Sequence, residues 1–484
     1  MLFNSYEFIF IFLPFTFFIY FYLNQKKYKE SSKLFLVISS LFFYSWWNIS
    51  YLPLLLFSML FNYKIGNLLV QKKTILKVRE KHLLVLGITL NLMLLGYYKY
   101  SDFFISNSNL LFNTNAPLLN LALPLAISFF TFQQIAYLVD SYRGETKAYN
   151  FLNYAVFVSF FPQLIAGPIV HHKEMMPQFE NYAKSKINYH NIAIGLFVFT
   201  IGLFKKVIIA DTFSVWATTG FDTATALNFV EAWTASLSYT FQLYFDFSGY
   251  TDMAIGVALL FNIKLPINFN APYKAKDIQD FWRRWHMTLS RFLRDYIYIP
   301  LGGNRKGVVR TYFNLFFTFI LAGIWHGAGW TFIFWGFLHG FALIIHKIWE
   351  KIGFKLWSWL AWIITFNFIN FSWIFFRAKE WEDAIKVIEG MLGVNGVVLP
   401  AMLEHKLSFL DSYGIEFGSW LARVDGEFWT ILVLLGGFFL VFKTPVYSDY
   451  KFSLNYKTLL FSIFAFTVSV LSLNKVSEFL YFNF

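Results

Sequence analysis

Apolar residues in this chain come in runs of nearly twenty, separated by short polar stretches, from one end to the other. A membrane-crossing helix needs about 20 consecutive apolar residues. Stretches approaching that length lie near 7–23, 33–48, 51–70, 83–99, 119–139, 151–169 and 191–214. More follow near 229–262, 311–326, 329–346, 357–376, 428–442 and 457–474. Several are short or broken by Gly and Pro, and non-helical backbone at membrane depth survives only where it lines a cavity. The pattern predicts an all-α polytopic membrane protein with about 11–13 transmembrane or re-entrant helices. Glu7 precedes the first run, and Tyr20, Phe21 and Tyr22 stand where a signal peptide carries small residues, so that run reads as a retained span.

Composition strengthens this reading. Aromatic residues make up 23% of the chain and charged residues only 14%, against about 25% charged in soluble domains. One water-soluble core could not hide 64 Phe and 17 Trp, so lipid must solvate much of the surface. The net charge of +12 would suggest nucleic acid on a soluble protein, but the basic residues cluster between apolar runs and report topology instead. Lys26, Lys27, Lys29 and Lys33 follow the first run; Lys72, Lys73, Lys77, Arg79 and Lys81 follow the third. The stretch 100–118 holds Asp102 and no base. Alternation puts the N-terminus outside and the basic loops in the cytoplasm. Residues 377–427, with five basic and nine acidic positions, become a small extracytoplasmic subdomain. There Trp381, Ala384, Ile385, Val387, Ile388 and Met391 recur at helical spacing, as a solvated surface helix or a docking platform. The chain reads as a single membrane-embedded domain over 1–484. Cys is absent, which excludes disulfides, thiolate metal sites and thiol catalysis. No His spacing supports zinc: His339 and His346 lie about 10 Å apart along one helix, and His171 and His172 mark a membrane boundary.

Candidate chemistry concentrates between Gln242 and Gly329. Gln242, Tyr244, Asp246, Ser248 and Asp252 interrupt an apolar run, and acids at membrane depth face a cavity or a partner, or cap and pair structurally. Positions 281, 282, 285, 289, 292, 293 and 296 form an apolar face opposite Arg283, Arg284, Arg291 and Arg294, predicting an amphipathic helix on the cytoplasmic interface within 274–310. Those guanidinium groups suit a phosphate-bearing ligand. The turn-rich Tyr298–Gly307 loop, with Asn304 and Arg305, either approaches a phosphate or simply closes. Finally, Trp325-His326-Gly327-Ala328-Gly329 places an imidazole in an apolar run beside glycines that leave room for a substrate or a neighbouring backbone.

At Trp285-His286 and Trp325-His326, forty residues apart, the chain resembles the membrane-bound O-acyltransferase family, and within it the alginate O-acetylase type of polysaccharide O-acetylation protein. The matching stretches are 161–168, 242–252, 281–290, 294–305 and 325–327, together with the opening 1–5 and closing 479–484. The resemblance implies helices around a funnel, with His326 and His286 as the catalytic pair. It implies that Gln242, Tyr244, Asp246, Ser248, Trp282, Arg283, Trp285, Arg294, Asn304, Arg305 and Trp325 line the acyl-donor site or tunnel. No cofactor or metal is implied; acetyl-CoA would be the donor, in the bacterial inner membrane, with a periplasmic SGNH-type acetyltransferase as partner. The abundance of Phe, Ile, Asn, Lys and Tyr, residues with A/T-rich codons, marks an A/T-biased genome; the resemblance implies that alginate makers are mostly G/C-rich, so peptidoglycan is the expected polymer. Alginate or another exopolysaccharide is the alternative, as is D-alanyl transfer to teichoic acid. A secondary transporter is the rival from another class, and it predicts inverted repeats that the chain does not display. A scaffold for the partner is a third reading.

Overall fold

The computed structural model describes residues 1–71, 80–443, 452–473, 479 and 480. Lys72, Lys73, Lys77, Arg79 and the closing residues 481–484 lie outside the described residues. Helix α1 (Glu7–Gln25) opens with a π-turn, and α2 (Lys29–Ser45), α3 (Leu52–Val70) and the 33-residue α4 (Glu80–Phe112) follow. Then come α5 (Ile127–Tyr142) and α6 (Phe151–Ser159). The expected run over 151–169 is not one helix. It breaks after α6 into Phe161–Leu164 and a coil leading to the short helix His172–Glu180, as Pro162, Gly167 and Pro168 require. Helix α7 (Tyr189–Thr223) carries two π-turns and packs along α8 (Phe229–Leu260).

After α8 come the short helices α9 (Ile278–Arg284) and α10 (Met287–Leu293), then α11 (Val308–His326), α12 (Trp330–Ile352) and α13 (Ser358–Arg377). The chain continues through α14 (Trp381–Met391), α15 (Phe428–Lys443) and α16 (Tyr456–Leu471). Among the described residues seven helices are long and apolar enough to cross a membrane: α1, α3, α4, α7, α11, α12 and α13 (α3 with the turn before it). Helices α15 and α16 are apolar but shorter.

Two glycine pairs set the α7–α8 crossing. A Cβ on Gly195 would lie 2.7 Å from the Gly256 carbonyl, and one on Gly202 would lie 2.5 Å from that of Gly249. Each pair repeats after seven residues in opposite directions, so the helices run antiparallel with their backbones nearly touching. Small residues are the usual means of such close approach in membranes. This crossing buries α8 along almost its whole length. Its polar stretch therefore faces protein rather than lipid.

Between α13 and α15 the chain forms α14 and a two-stranded parallel sheet, β1 (Val397–Pro400) on β2 (Ile415–Gly418). Ala384, Val387 and Gly390 form the buried face of α14, while Ile385 is exposed because it points off that stripe. The subdomain is tied to the start of α8. Asn228 caps that helix with Glu231 in a reciprocal box, and the second oxygen of Glu231 accepts from the Arg423 amide at 2.9 Å.

Candidate active site

Helix α11 ends at His326, and its last carbonyls would be left without intrahelical partners. Two residues of α4 supply donors. Tyr100 donates to the Ile324 carbonyl at 2.6 Å, and the Lys99 ammonium donates to those of Trp325 at 2.6 Å and His326 at 3.0 Å. A cation at a helix C-terminus also meets the negative end of the macrodipole. Lys99 is not among the residues expected from sequence, and its one signal there is its place as the single Lys closing the apolar run 83–99. The His326 ring is 3% exposed and sits among Trp325, Trp335 and Phe376, with centroids 4.8, 5.1 and 5.0 Å away.

His286 lies at the junction of α9 and α10. The predicted continuous amphipathic helix over this stretch is broken there, because His286 adopts a left-handed conformation (φ 42°, ψ 54°) that non-glycine residues rarely take. The break turns the ring inward to complete burial. Backbone strain of this kind costs about 1–3 kcal/mol and persists where surrounding contacts enforce it. Here the Met287 amide donates to the Asn268 carbonyl, and the Asn270 amide to that of Arg284, both at 2.9 Å.

The hydrogen bonds around His286 also fix its tautomer. The Thr288 amide, necessarily a donor, lies 3.2 Å from Asn268 Oδ1, so that atom is the amide oxygen. His286 Nδ1, 3.1 Å from the same oxygen, must therefore donate to it, leaving Nε2 as the acceptor nitrogen. Trp325 touches both imidazoles, with centroids 6.4 Å from His286 and 4.8 Å from His326. The structure thus brings the two expected histidines together around one indole.

Other expected residues divide into three groups. Trp282 and Trp285 are buried in the aromatic wall behind the pair. Trp282 donates to His339 Nδ1 at 3.1 Å, and His339 Nε2 donates in turn to Ser372 at 3.0 Å. His339, given little weight from sequence, is therefore a fully bonded strut against Trp335, 4.7 Å away. Arg283, Arg294, Asn304 and Arg305 are exposed on the surface. The carboxylate of Asp295 chelates Arg294 and holds its guanidinium above its ordinary pKa. In the Tyr298–Gly307 loop, Gly302, Gly303 and Gly307 have positive φ, and Asn314 of α11 donates to the Gly303 carbonyl at 2.9 Å. Loop closure accounts for these glycines.

The third group lies on α8. Asp246 pairs with Lys206 at 2.5 Å and Asp252 with Lys205 at 2.7 Å. Gln242 and Ser248 are buried beside them. Tyr244, Ser248 and Asp252 line a mainly apolar cavity of about 520 Å³ between α7, α8 and α16. Asn268, which holds His286, also lines it, although neither histidine does. The space expected at Gly327 is filled, since a Cβ there would lie 2.2 Å from the Phe332 ring, whereas one on Gly329 would meet only ordinary contact at 3.5 Å. Gly327 makes room for a neighbouring side chain, not for a substrate.

Two buried histidines thus meet around one indole inside a bundle of apolar helices. The model of the membrane-bound O-acyltransferase family matches residues 8–379, and this chain belongs to that family. It is similar to the peptidoglycan O-acetyltransferase of Helicobacter pylori, 53% identical over 441 residues that cover 85% of this chain and 83% of that protein. A probable alginate O-acetylase of Pseudomonas aeruginosa is 40% identical over 81% of this chain and 75% of its own. The teichoic acid D-alanyltransferase of Bacillus subtilis is 31% identical over 54% of this chain and 71% of its own. The protein is thus a multi-pass membrane acyltransferase acting with an acyl donor.

Proposed function

We propose that this enzyme takes acetyl groups from cytoplasmic acetyl-CoA and passes them across the bacterial inner membrane for O-acetylation of peptidoglycan. Its N-terminus is outside and the 274–310 region faces the cytoplasm. The whole chain works as one acyltransferase unit, and residues 377–427 offer a surface to a periplasmic SGNH-type partner that modifies the polymer. The observation that carries this reading is the pair His286 and His326, buried on opposite contacts of Trp325 at the end of a spanning helix. The identity and coverage shared with the peptidoglycan O-acetyltransferase favour that polymer over alginate.

The reaction needs one proton moved twice. An acceptor hydroxyl oxygen bonds to the thioester carbonyl carbon as the His326 imidazole takes its proton. The C–S bond then breaks, and the thiolate leaves and recovers that proton as free coenzyme A. His286, with Nδ1–H held by Asn268, presents Nε2 as an acceptor to orient the incoming groups or relay the proton. Lys99 and Tyr100 hold the backbone beneath His326, and the surrounding rings exclude water. General acid–base groups of this kind contribute about 10²–10⁴-fold.

Proteoliposomes containing the purified chain and acetyl-labelled coenzyme A test the reading. His326→Ala should lower acetyl-CoA turnover by about 10²–10⁴-fold with an unchanged melting temperature. Full turnover in that variant would reject the assignment and leave a scaffold or a transporter. Muropeptide analysis of a strain lacking the chain tests the polymer: unchanged peptidoglycan acetylation would exclude it.

A further inference from the structure

Away from the histidine pair, at the end of α5, the fold assembles a cluster whose members are far apart in sequence. Asp140 is 1% exposed, and its Oδ2 lies 3.3 Å from Nδ1 of His171 and 3.3 Å from Nδ1 of His172. Candidate ligand atoms of all three residues fall within 4.8 Å of one another. The Tyr296 hydroxyl lies 3.0 Å from both Asp140 oxygens and also meets His171 Nε2. His172 Nε2 faces the Glu145 carbonyl at 3.3 Å.

Counting protons shows what these contacts lack. Tyr296 has one hydroxyl proton, and two carboxylate oxygens claim it, so its oxygen accepts from His171 Nε2–H. His172 places Nε2 3.3 Å from the Glu145 carbonyl and Nδ1 3.3 Å from the Asp140 oxygen, and a neutral ring has one N–H for the two. With that proton on Nε2, both Nδ1 lone pairs face the same carboxylate oxygen, an arrangement that a positive charge between them stabilises. A 3.3 Å separation is beyond the usual 2.7–3.2 Å of an N–H···O bond. It does match the edge of a tetrahedron built on metal–ligand bonds of 2.0–2.1 Å, which is about 3.3 Å.

We propose that Asp140, His171 and His172 form a binding site for a divalent transition metal of the zinc class, coordinated by one carboxylate oxygen and two Nδ1 nitrogens. Two imidazoles and a carboxylate are a donor set that zinc favours, and three protein ligands leave one coordination position open. The outer contacts are already in place. The Glu145 carbonyl and the Tyr296 oxygen accept the remaining ring N–H groups, the usual means of fixing the tautomer of a metal-bound histidine. The site lies two residues from Ile169, whose amide donates to Thr288 Oγ1 at 3.1 Å, and Thr288 donates to the Asn268 oxygen that holds His286. The metal would therefore anchor the coil 165–171 and the first residue of the helix that follows, at the start of that chain of bonds. Sequence spacing could not reveal it, because Asp140 comes from a separate helix.

The test uses the full chain in detergent, purified on a tag without histidine and stripped with chelator. Titration with cobalt(II) should produce the visible absorption of a tetrahedral site, saturating at a one-to-one ratio and lost on adding zinc. Asp140→Ala and His172→Ala should abolish the band, and Asp140→Glu should retain a shifted one. Absence of any band in the unmodified protein would overturn the proposal and leave paired imidazolium ions as the source of charge. A band that survives in both alanine variants would overturn it by placing the metal elsewhere. Neither readout depends on acyl transfer, so the proposal stands or falls apart from the catalytic reading.

Discussion

Two regions of this protein place polar groups inside an apolar bundle, and they answer the cost in opposite ways. On α8, Asp246 and Asp252 each meet an adjacent lysine of α7, and Lys206 reaches Asp211 as well, at 3.1 Å. Asp246 also accepts from the Leu480 amide at 3.1 Å, so its charge pins the end of the described chain. Around His326 no carboxylate stands among the described residues. Imidazoles meet indoles and phenyl rings, and the Nε1–H groups of Trp325, Trp335 and Trp373 are buried with no acceptor among the described residues. The charged region answers its own charges in lysine–aspartate pairs, although Lys205 and Asp252 also line the cavity beside α16. The region around His326 spends its Lys99 cation on helix-end carbonyls, and on the proposed reading its neutral rings keep donors and acceptors for a reacting group that brings its own polarity. If His326 is the reacting base, as proposed, the conspicuous acids hold the scaffold and the less conspicuous rings surround the chemistry.

The sharpest way to break that contrast is to unbalance the charged region. Lys206→Met leaves Asp246 and Asp211 without their cation. Removing one partner of a buried pair costs about 3–5 kcal/mol, far more than the pair itself contributes. The variant should lose most of its folded yield, read by fluorescence-detected size exclusion and thermal melting. Lys206→Met combined with Asp246→Leu should recover much of it. Wild-type melting in the single variant would mean that water, not Lys206, answers Asp246.

A smaller effect is expected behind the neutral region. Trp282→Phe removes the donor to His339 and leaves a buried Nδ1 unsatisfied, at about 1–3 kcal/mol. Because the indole volume also shrinks, Trp282→Tyr is not a rescue. Combining Trp282→Phe with His339→Leu should be less harmful than the sum of the two changes if they form one strut. Strict additivity in a melting-temperature cycle would deny the coupling.

Lys99→Met should act on turnover more than on folding. It strips the Trp325 and His326 carbonyls of their donor and removes the cation at the end of α11, worth about 1–2 kcal/mol in a partly buried site. Spent wholly on the position of His326, that is about a tenfold fall in turnover. Lys99→Arg, whose fork has a different reach, should restore only part of it. An unchanged turnover in Lys99→Met would make the cap purely structural.

These cases show where the sequence was legible. Lengths and charges of the apolar runs were enough for a polytopic helical protein, since a bilayer imposes one solution on the backbone. Both histidines were legible through the motifs around them. What escaped depends on contacts between distant segments. The glycine pairs 195/256 and 202/249 become a crossing only once α7 lies on α8. Lys99 gains meaning only from the carbonyls of α11, 225 or more residues later. The single amphipathic helix was misread because periodicity records which faces are apolar, not whether the backbone turns. Its apolar stripe continues through His286 although the helix does not.

The exposed arginines give the smallest effect and the finest test of the division between scaffold and chemistry. Arg294 is tied only to its neighbour Asp295, and Arg283 is exposed on α9. Surface ion pairs contribute about 0–1 kcal/mol and are screened by salt, so Arg283→Ala and Arg294→Ala should leave melting within about 0.5 kcal/mol of wild type. If these groups meet the phosphates of the donor, the loss appears in KM and not in kcat, because contacts remote from the reacting carbon hold ground state and transition state alike. The rise in KM should shrink as salt is added, since screening weakens the wild-type contact as well. A fall in kcat at constant KM would move the arginines from the exposed surface into the chemical step, and the boundary between charged scaffold and neutral chemistry would have to be redrawn.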